Sequence, residues 1–417
     1  MSSVRVRPTL AVLLAGGASL PLAAAQRPDP PDRVVEYRGG RWFNGTRFVE
    51  TTMLVQGGVF RARGGVKADS VVDLRGGYVV PPFGDAHQHL VEPDPRPMVS
   101  AHLGDGIFYV KDQSNAPVLR RLLDRMLNQP RSIDFISANQ GWTSQGGHPI
   151  EVIRRVPPES PFAAYVRDSL DPGLVMQVDN PADIDRRWAY FLSGKPDFVK
   201  IYLLRSEDYA RLRQDPAAEG NRGMDPALVP EMVRRAHAAG LTVSAHVWTA
   251  ADFRAAIQGG VDQIAHVPGG RSSNPAPFLL TEADAALAAA RHVTVVTTVA
   301  QQRDSAITDR LLASQLGPNL RLLRKHKVTL LLGSDLFPQT AVIEAAALQR
   351  SGIFSNLELL RMWSVTTPQA IFPQRKLGEL KQGYEASFLV LRGDPLVDFA
   401  ATRAITLRVK RGVVLGP

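Results

Sequence analysis

Short apolar runs alternate with helical segments between residues 81 and 373, and this alternation constrains the fold more than any other feature. The runs have the length of buried strands, and strands that alternate with helices predict parallel βα units. A stretch of about 290 residues is sufficient for a (β/α)8 TIM-like barrel, which typically needs ~250. We therefore predict an α/β fold with such a barrel at 81–373. The clearest strands are 198–204, 242–246, 262–266, 293–299 and 328–333.

One helix can be read almost residue by residue from its boundary signals. Asp225 is a typical N-cap, Pro226 suits the first helical turn, and Gly240 ends the helix. The strand that follows ends in His246, and Thr249 then begins the next helix. Because parallel barrel strands place their C-terminal ends at one mouth, we expect the polar side chains at those ends to lie together.

The two ends of the chain carry a different pattern, in which short β-type runs are separated by glycine turns. We predict that 33–80 and 374–417 pair into one small β-sandwich domain beside the barrel. The N-terminal runs are 34–37, 41–43, 53–56, 71–74 and 78–80, and the C-terminal runs are 387–391 and 405–410.

The first 25 residues contain the basic, apolar and small-residue regions of a secretory signal peptide, in that order. Arg5 and Arg7 precede an apolar stretch at 10–22, and an alanine triplet that ends at Ala25 follows it. The stretch of about 13 residues is shorter than the ~20 that a membrane-spanning helix needs. We predict cleavage after Ala25, export to the periplasm or the medium, and no stable membrane insertion. An uncleaved anchor or an unstructured tail is the alternative.

The chain contains no cysteine, so cysteine nucleophiles, disulfides and thiolate metal sites are excluded. Its formal charge of +9 falls to +7 (9 − 2) when Arg5 and Arg7 leave with the signal peptide. The surplus charge is scattered and forms no basic tract, which argues against a nucleic-acid partner. The expected partner is a small-molecule or dipeptide-like substrate, and a homo-oligomer stays open.

A histidine pair follows the apolar run 78–83. His87 and His89 stand two residues apart, so at an extended strand end both imidazoles face the same side and can reach one cation. An H-x-H pair alone is weak evidence for a metal site. Four further titratable residues strengthen it, because each ends a buried apolar run, where a charged group needs a partner or a metal. These residues are Lys200, His246, His266 and Asp335.

Each of these residues also has a simpler explanation when it is taken alone. A buried histidine such as His246 or His266 often only makes hydrogen bonds in a core, and Lys200 suits a salt bridge at the barrel rim. Their joint placement at the strand ends of one barrel mouth favours a metal centre over a separate structural role for each residue.

At these residues the chain resembles the metal-dependent amidohydrolase superfamily, whose first barrel strand carries a P-G-x-x-D-x-H-x-H motif. Here 81–89 reads PPFGDAHQH, with Pro82 where the family usually has Gly and Gly84 where it has an apolar residue. The likeness continues in order through the four other strand-end residues into 377–395 and covers essentially the whole mature chain. The segments 139–149 and 256–267 are most similar to the imidazolonepropionase-like and prolidase-like branch.

This resemblance implies a centre of two divalent metal ions. A protonated lysine cannot bind a cation, and burial among cations lowers its pKa, so Lys200 would carry CO₂ as N6-carboxylysine. An unmodified Lys200 beside a single metal is the alternative. Zn²⁺ is the default ion, although manganese, iron and cobalt stay open. The implied ligands are His87, His89 and Asp335 for one ion and His246 and His266 for the other, with Lys200 bridging both.

The resemblance also implies a reaction. Two ions would lower the pKa of a shared water to give a hydroxide nucleophile, and Asp335 would move its proton to the leaving group. The main hypothesis is an exported metal-dependent hydrolase that cleaves an amide or peptide bond at the C-terminal residue of a dipeptide or N-acyl amino acid. Candidates for lining the substrate pocket are His148, Tyr202, Trp142 and Trp248, for which core packing is the alternative.

Other functions are kept as alternatives to this hypothesis. A lactonase or phosphotriesterase could use the same centre. A cyclic-amidine deaminase is less favoured, because such enzymes need a glutamate close after a strand-end histidine and none follows His246 or His266. A binding protein that has lost catalysis would have lost ligands, whereas all six candidates are present.

Overall fold

The structure is a computed structural model of the chain, and it describes residues 33–416 except 63, 93, 161–162, 164–172, 303 and 337. The predicted signal peptide at 1–25, with its cleavage site, lies outside the described residues. Within the described part, no helix combines the length and the apolar character needed to cross a membrane.

The two ends of the chain form one mixed β-sheet. Antiparallel pairing of Val79 with Val390 joins the N-terminal segment to the C-terminal one. The strands are β1 (Val35–Phe43), β2 (Phe48–Gln56), β3 (Val59–Arg61), β4 (Ser70–Asp73), β5 (Tyr78–Val80), β16 (Phe388–Leu391), β17 (Ile405–Lys410) and β18 (Val413–Val414). Their order is β18-β17-β16-β5-β1-β2-β3, with β4 also paired to β1.

This terminal sheet pairs the two segments as predicted, but its hydrogen bonds give one sheet in place of the two separate layers of a sandwich. The sheet folds over itself, because β3 also bonds the loop before β16. Phe60 N donates to Tyr384 O and Gly383 N donates to Phe60 O, both at 2.9 Å. The rings of Trp42, Phe60 and Phe388 fill the enclosed space, with centroids 5.2 to 6.0 Å apart, so aromatic burial holds the fold-over together.

Two parallel sheets make up the remainder, and they confirm the predicted α/β class. Their strands are almost entirely buried, as expected for parallel sheets that helices cover. The three-stranded sheet has the order β6 (Phe83–Gln88), β7 (Ile107–Asp112), β8 (Asp134–Ser137). The seven-stranded sheet has the order β10 (Val175–Gln177), β9 (Gly141–Thr143), β11 (Val199–Tyr202), β12 (Val243–His246), β13 (Gln263–Ile264), β14 (Thr294–Val296), β15 (Leu330–Leu331).

Backbone hydrogen bonds join both edges of the three-stranded sheet to the seven-stranded sheet, one just after β15 and the other just before β11. Beside β6, Ala86 N donates to Leu332 O at 2.9 Å, and beside β8, Asp197 N donates to Ser137 O at 2.9 Å. The arrangement is consistent with a TIM-like barrel, and it brings the C-terminal ends of β6, β11, β12, β13 and β15 to one face of the fold.

Helices connect the parallel strands, and their boundaries follow local sequence signals. The Asp225 side chain accepts from Ala227 N and opens a 3-10 turn at Pro226–Leu228, which continues into helix. Thr249 and Asp252 form a reciprocal cap on the helix after β12. The α-helices are α1 (Arg96–Gly104), α2 (Pro117–Met126), α3 (Ile150–Arg154), α4 (Pro181–Ser193), α5 (Tyr209–Leu212), α6 (Val229–Ala238), α7 (Ala250–Gln258), α8 (Glu282–Ala290), α9 (Ser305–Leu311), α10 (Gly317–Lys325), α11 (Val342–Arg350), α12 (Asn356–Arg361) and α13 (Thr367–Ile371).

Candidate active site

The six residues predicted from strand ends line one cavity of about 530 Å³. Five of them come from the C-terminal end of a parallel strand or from the residues that follow it, whereas Lys200 lies within its strand. Barrel-type folds collect side chains from distant parts of the sequence in this way. The residues are His87 in β6 and His89 just after it, Lys200 in β11, His246 in β12, His266 after β13 and Asp335 after β15.

Three of these residues are close enough to hold a metal ion. His87, His89 and Asp335 each offer one ligand atom, and these atoms lie within 4.8 Å of one another. Asp335 Oδ1 lies 3.5 Å from His87 Nε2 and 3.3 Å from His89 Nε2. On the other side, Asp335 Oδ2 lies 4.0 Å from His266 Nε2. Asp335 therefore stands between the predicted ligands of both ions.

The imidazoles are already oriented as metal ligands. Nδ1 of His87 lies 3.0 Å from the carbonyl oxygen of Ala265, and Nδ1 of His266 lies 2.9 Å from Thr298 Oγ1. In both rings the other nitrogen, Nε2, is the one that faces Asp335. A second hydrogen bond at the remote nitrogen is the usual way in which proteins fix the tautomer and direction of a metal-binding histidine.

His246 extends this group of rings toward the second predicted ion. Its ring centroid lies 4.5 Å from that of His266 and 4.6 Å from that of His148. Burial, reinforced by neighbouring cationic groups, holds the pKa values of His87, His246 and His266 well below the ordinary histidine value. These three rings are therefore neutral near pH 7, which is the state that binds metals.

Lys200 has an unusual environment for an amine. Its side chain is fully buried, yet Nζ has no hydrogen-bond partner among the residues that the structure describes. The Tyr202 ring is nearby, with its centroid 5.3 Å from Nζ. Burial lowers the pKa of Lys200 to about 7. An unpaired buried ammonium is strongly disfavoured, whereas a neutral amine can add CO₂ and lose a proton to give an anionic carbamate, which would suit a site that binds cations. The donor set therefore fits a metal centre.

Asp335 is held against the H-x-H strand by the main chain. Asp335 N donates to His87 O at 2.7 Å, while Asp85 accepts from His87 N at 3.1 Å and from Ser334 N at 3.0 Å. Gly333 permits this approach, since a Cβ there would lie 2.7 Å from His87 N. Burial by itself would raise the pKa of Asp335, but the His89 hydrogen bond and the neighbouring basic groups together outweigh it and lower the pKa, so the carboxylate is ionised.

The departure at Gly84 from the superfamily motif has a packing reason. A Cβ at Gly84 would meet the side chain of Thr367 at 2.9 Å and the backbone nitrogen of Pro368 at 3.2 Å. Helix α13 thus packs directly on β6, and the close contact replaces the apolar side chain that the motif usually has. The ligand positions of His87 and His89 are unaffected by the change.

The predicted substrate residues divide into two groups. His148 and Tyr202 line the cavity. The fully buried Trp142 does not, because it packs against Trp188 and Phe191 with ring centroids 5.9 and 5.2 Å away. Trp248 is also absent from the described cavity wall; its ring lies 6.0 Å from that of Phe278. The structure favours the core-packing alternative for Trp142, whereas Trp248 is half-buried outside the cavity.

Sequence reasoning missed a residue that orients His148. Glu151 Oε1 lies 2.8 Å from His148 Nδ1, one helical turn further along. The spacing of three residues at the start of α3 is a local signal that was visible in the sequence. Because Glu151 occupies Nδ1, the other nitrogen of His148 is left for the cavity.

Sequence reasoning also missed the support of His266. Thr298 lies at the end of the predicted strand 293–299, so its position was visible, although its contact with His266 was not. The buried Glu344 holds the same loop through Val299 N at 2.9 Å and Ala300 N at 2.8 Å. Burial raises the pKa of Glu344 to about 7. Glu344 lies in α11, far along the chain, and no local signal indicated its role.

Part of the chain matches a known protein family. Residues 199–416 match the Amidohydrolase family, a span that includes Lys200, His246, His266 and Asp335. A search of curated proteins found no match to the chain.

Several solved structures share the fold. A prolidase complexed with N-methylphosphonate-L-proline has 20% identity and a TM-score of 0.70, over 92% of this chain and 99% of that one. A Xaa-Pro dipeptidase with bound methionine has 15% identity and a TM-score of 0.70, over 92% and 100%. Phenylurea hydrolase B has 19% identity and a TM-score of 0.66, over 92% and 96%. At these identities the likeness establishes the fold alone.

Proposed function

Because the chain belongs to the amidohydrolase family and is thus a hydrolytic enzyme that acts on C–N bonds, we propose that it is a metal-dependent hydrolase of the prolidase-like branch. The proposed reaction is cleavage of an amide or peptide bond at the C-terminal residue of a dipeptide or N-acyl amino acid. The observation that carries this proposal is the convergence of six donors on one cavity, with the Lys200 amine buried and unpartnered among the described residues.

In the proposed centre His87, His89 and Asp335 would hold one divalent ion and His246 and His266 the other, and Lys200, as N6-carboxylysine, would be a ligand of both. Zn²⁺ is the first ion to test for such ligands. When bound, the ions supply a Lewis acid for the scissile carbonyl and lower the pKa of water. Two observations support this partition: the ligand atoms of His87, His89 and Asp335 lie within 4.8 Å of one another, and the ring centroids of His246 and His266 are 4.5 Å apart.

The side chains of this chain then have distinct tasks. The Asp335 carboxylate accepts a proton from the attacking water and passes it to the leaving nitrogen, since it faces ligands of both ions and is ionised. His148, held by Glu151, and Tyr202 line the cavity beside His246 and orient the substrate.

The experiment that tests this function is a hydrolysis assay on dipeptides, N-acyl amino acids and lactones, before and after chelation and metal restoration. We expect amide cleavage that chelation abolishes and divalent ions restore. Cleavage that persists after complete metal removal would refute the metal-dependent mechanism. Preferential turnover of lactones would move the function to the second candidate reaction.

We further propose that 81–373 forms one closed barrel domain, with 33–80 and 374–417 as its smaller β domain, and that 1–25 is removed on export. The linked edges of the two parallel sheets and the terminal sheet support the first proposal. The order of basic, apolar and small residues supports the second. N-terminal sequencing of the protein from cell fractions tests it: a mature chain that begins at Gln26 is expected outside the cytoplasm.

A further inference from the structure

Part of the wall of the cavity is apolar. Four of its residues have the spacing i, i+3, i+4 and i+7 and lie on one face of α3 and its flanks. A valine from the loop after β6 and a leucine before β10 complete the wall. The residues are Val91, Pro149, Val152, Ile153, Val156 and Leu174.

This wall is part of a separate hydrophobic cluster. Ile153 and Leu174 belong to a small buried cluster around α3 and β10, distinct from the main core, and Val91 and Val156 pack on it. Val152 stands out, because its side chain is 51% exposed although it lines the cavity. An apolar surface left exposed beside a candidate active site indicates a binding surface for an apolar ligand.

The polar groups of the described cavity argue in the same direction. Apart from the predicted metal-binding set, the polar lining consists of two aromatic-ring residues, His148 and Tyr202, and the uncharged Ser114 and Gln301. Within the part of the lining that the structure describes, Lys200 is the single lysine or arginine, and it belongs to the metal-binding set. A charged substituent placed against the described residues of the α3 wall would lose its hydration without gaining a partner among them.

We propose that this wall, defined by the six apolar residues above, binds an extended, uncharged apolar substituent of the amide substrate. The inference rests on the proposed function for the presence of an amide, but it concerns recognition and not the chemical step. The preferred substrates are therefore amides with long aliphatic or aryl substituents, and short or terminally charged analogues react less efficiently.

Two substrate series test the inference through kcat/KM. One varies the acyl chain of N-acylglycines from acetyl to octanoyl, and the other varies the amino acid of N-acetyl compounds from Gly to Leu and Phe. Burial of each methylene on the wall raises kcat/KM about fourfold until the wall is covered. An acyl chain that ends in a carboxylate loses this gain. Flat profiles in both series overturn the inference while leaving amide hydrolysis intact.

A matched pair of variants assigns the effect to the wall. Val152→Lys places a charge on the wall at a site with 51% exposure, and Val71→Lys makes the same change at 49% exposure in β4 of the terminal sheet. We expect Val152→Lys to lower kcat/KM for the longest chain at least tenfold and to flatten the series, whereas Val71→Lys leaves both unchanged. Equal effects of the two variants contradict the assignment.

Calorimetric binding of octanamide and acetamide separates this inference from the proposed function, because it needs no turnover. Tighter binding of octanamide that Val152→Lys removes supports the wall even when no amide in the panel is cleaved. Equal binding of the two amides, or binding that Val152→Lys leaves unchanged, overturns the inference regardless of activity.

Discussion

Among the described residues, two lysines have no exposed surface, and their surroundings differ. Lys410, in the terminal sheet, donates to the carbonyl oxygens of Gln129 and Ser132 and to Asp134 Oδ1 at 2.7 Å. Lys200, at the candidate centre, has no hydrogen-bond partner at Nζ in the described residues. Both side chains are 0% exposed, so burial alone does not account for the difference.

Other groups of the chain compensate the buried charge of Lys410, whereas the described residues provide no hydrogen-bond partner for the Nζ of Lys200. Burial lowers the pKa of Lys410 to about 8 and that of Lys200 to about 7, and Asp134 limits the first of these shifts. Two arginines, Arg375 and Arg411, complete the ion cluster around Asp134. Lys410 is thus a structural cation, whereas the amine of Lys200 is available for a ligand from outside the chain. The predictions below follow from this division.

The largest effect is expected for Asp335, the proposed proton-transferring group. Asp335→Asn keeps the shape and removes the ionised carboxylate, so we expect kcat to fall about 10⁴-fold, the upper range for loss of general acid–base catalysis. Steady-state assays measure the loss, and circular dichroism checks that the fold is unchanged. Near-normal activity of this variant would mean that Asp335 does not move the proton.

Replacement of Lys200 tests the proposed difference between Lys200 and Lys410. Lys200→Met keeps an apolar chain of similar length, so we expect about a 10³-fold loss of activity and a reduced metal content, with unfolding stability of the metal-free protein unchanged or increased. Elemental analysis and chemical denaturation measure the two quantities. A strongly destabilised metal-free Lys200→Met protein would show that Lys200 is a structural cation like Lys410.

The matching replacement in the terminal sheet has the opposite profile. Lys410→Met leaves the buried Asp134 without one of its partners, so we expect a loss of about 3 kcal/mol of unfolding free energy, the lower end for a broken buried pair, since Arg375 and Arg411 remain. The turnover number of the folded protein stays unchanged. The exposed Lys325, paired with Glu282, serves as control, and Lys325→Met is expected to change stability by less than about 0.5 kcal/mol.

A smaller effect is expected at a residue that only supports the centre. Thr298→Val removes the hydroxyl that contacts Nδ1 of His266 while preserving shape, so we expect a 10- to 100-fold loss of metal affinity, in line with loss of an outer hydrogen bond. Titration of the metal-free protein measures the affinity. Thr297→Val, whose hydroxyl contacts Glu344, is the neighbouring control. Equal losses in the two variants would indicate a general disturbance of the loop.

The last prediction is a pH dependence of unfolding stability, which tests the lowered pKa of Lys410. Burial places its folded pKa at about 8, below the ordinary lysine value of 10.5, so the unfolded chain binds more protons between these two values. Stability from this group therefore rises as pH increases from 8 to 10.5. The difference in unfolding free energy between the wild type and Lys410→Met isolates this contribution. A difference that shrinks across the window contradicts the shifted pKa.

Much of the fold follows from local sequence patterns. The predicted strands 242–246 and 405–410 correspond to Val243–His246 and Ile405–Lys410, because apolar alternation and flanking glycines set their bounds. Strand-end position also indicated which residues share the cavity, as for Lys200 and Asp335.

The remainder depends on contacts between distant segments. The packing of Trp142 against Trp188 and the support of the Thr298 loop by Glu344 join residues 45 or more positions apart, and no periodicity encodes them. The single folded-over terminal sheet likewise depends on bonds between Phe60 and Tyr384. The sequence pattern therefore indicates which residues reach the site, and the three-dimensional packing determines which neighbours hold them in place.

The most direct test of the central claim is metal content per chain, measured by elemental analysis of the wild type and of Lys200→Met purified and supplemented with metal in parallel. We expect close to two equivalents in the wild type and fewer than one in the variant, because in the proposed centre Lys200 would be a ligand of both ions. Equal metal contents in the two proteins, or none in the wild type after supplementation, would contradict it.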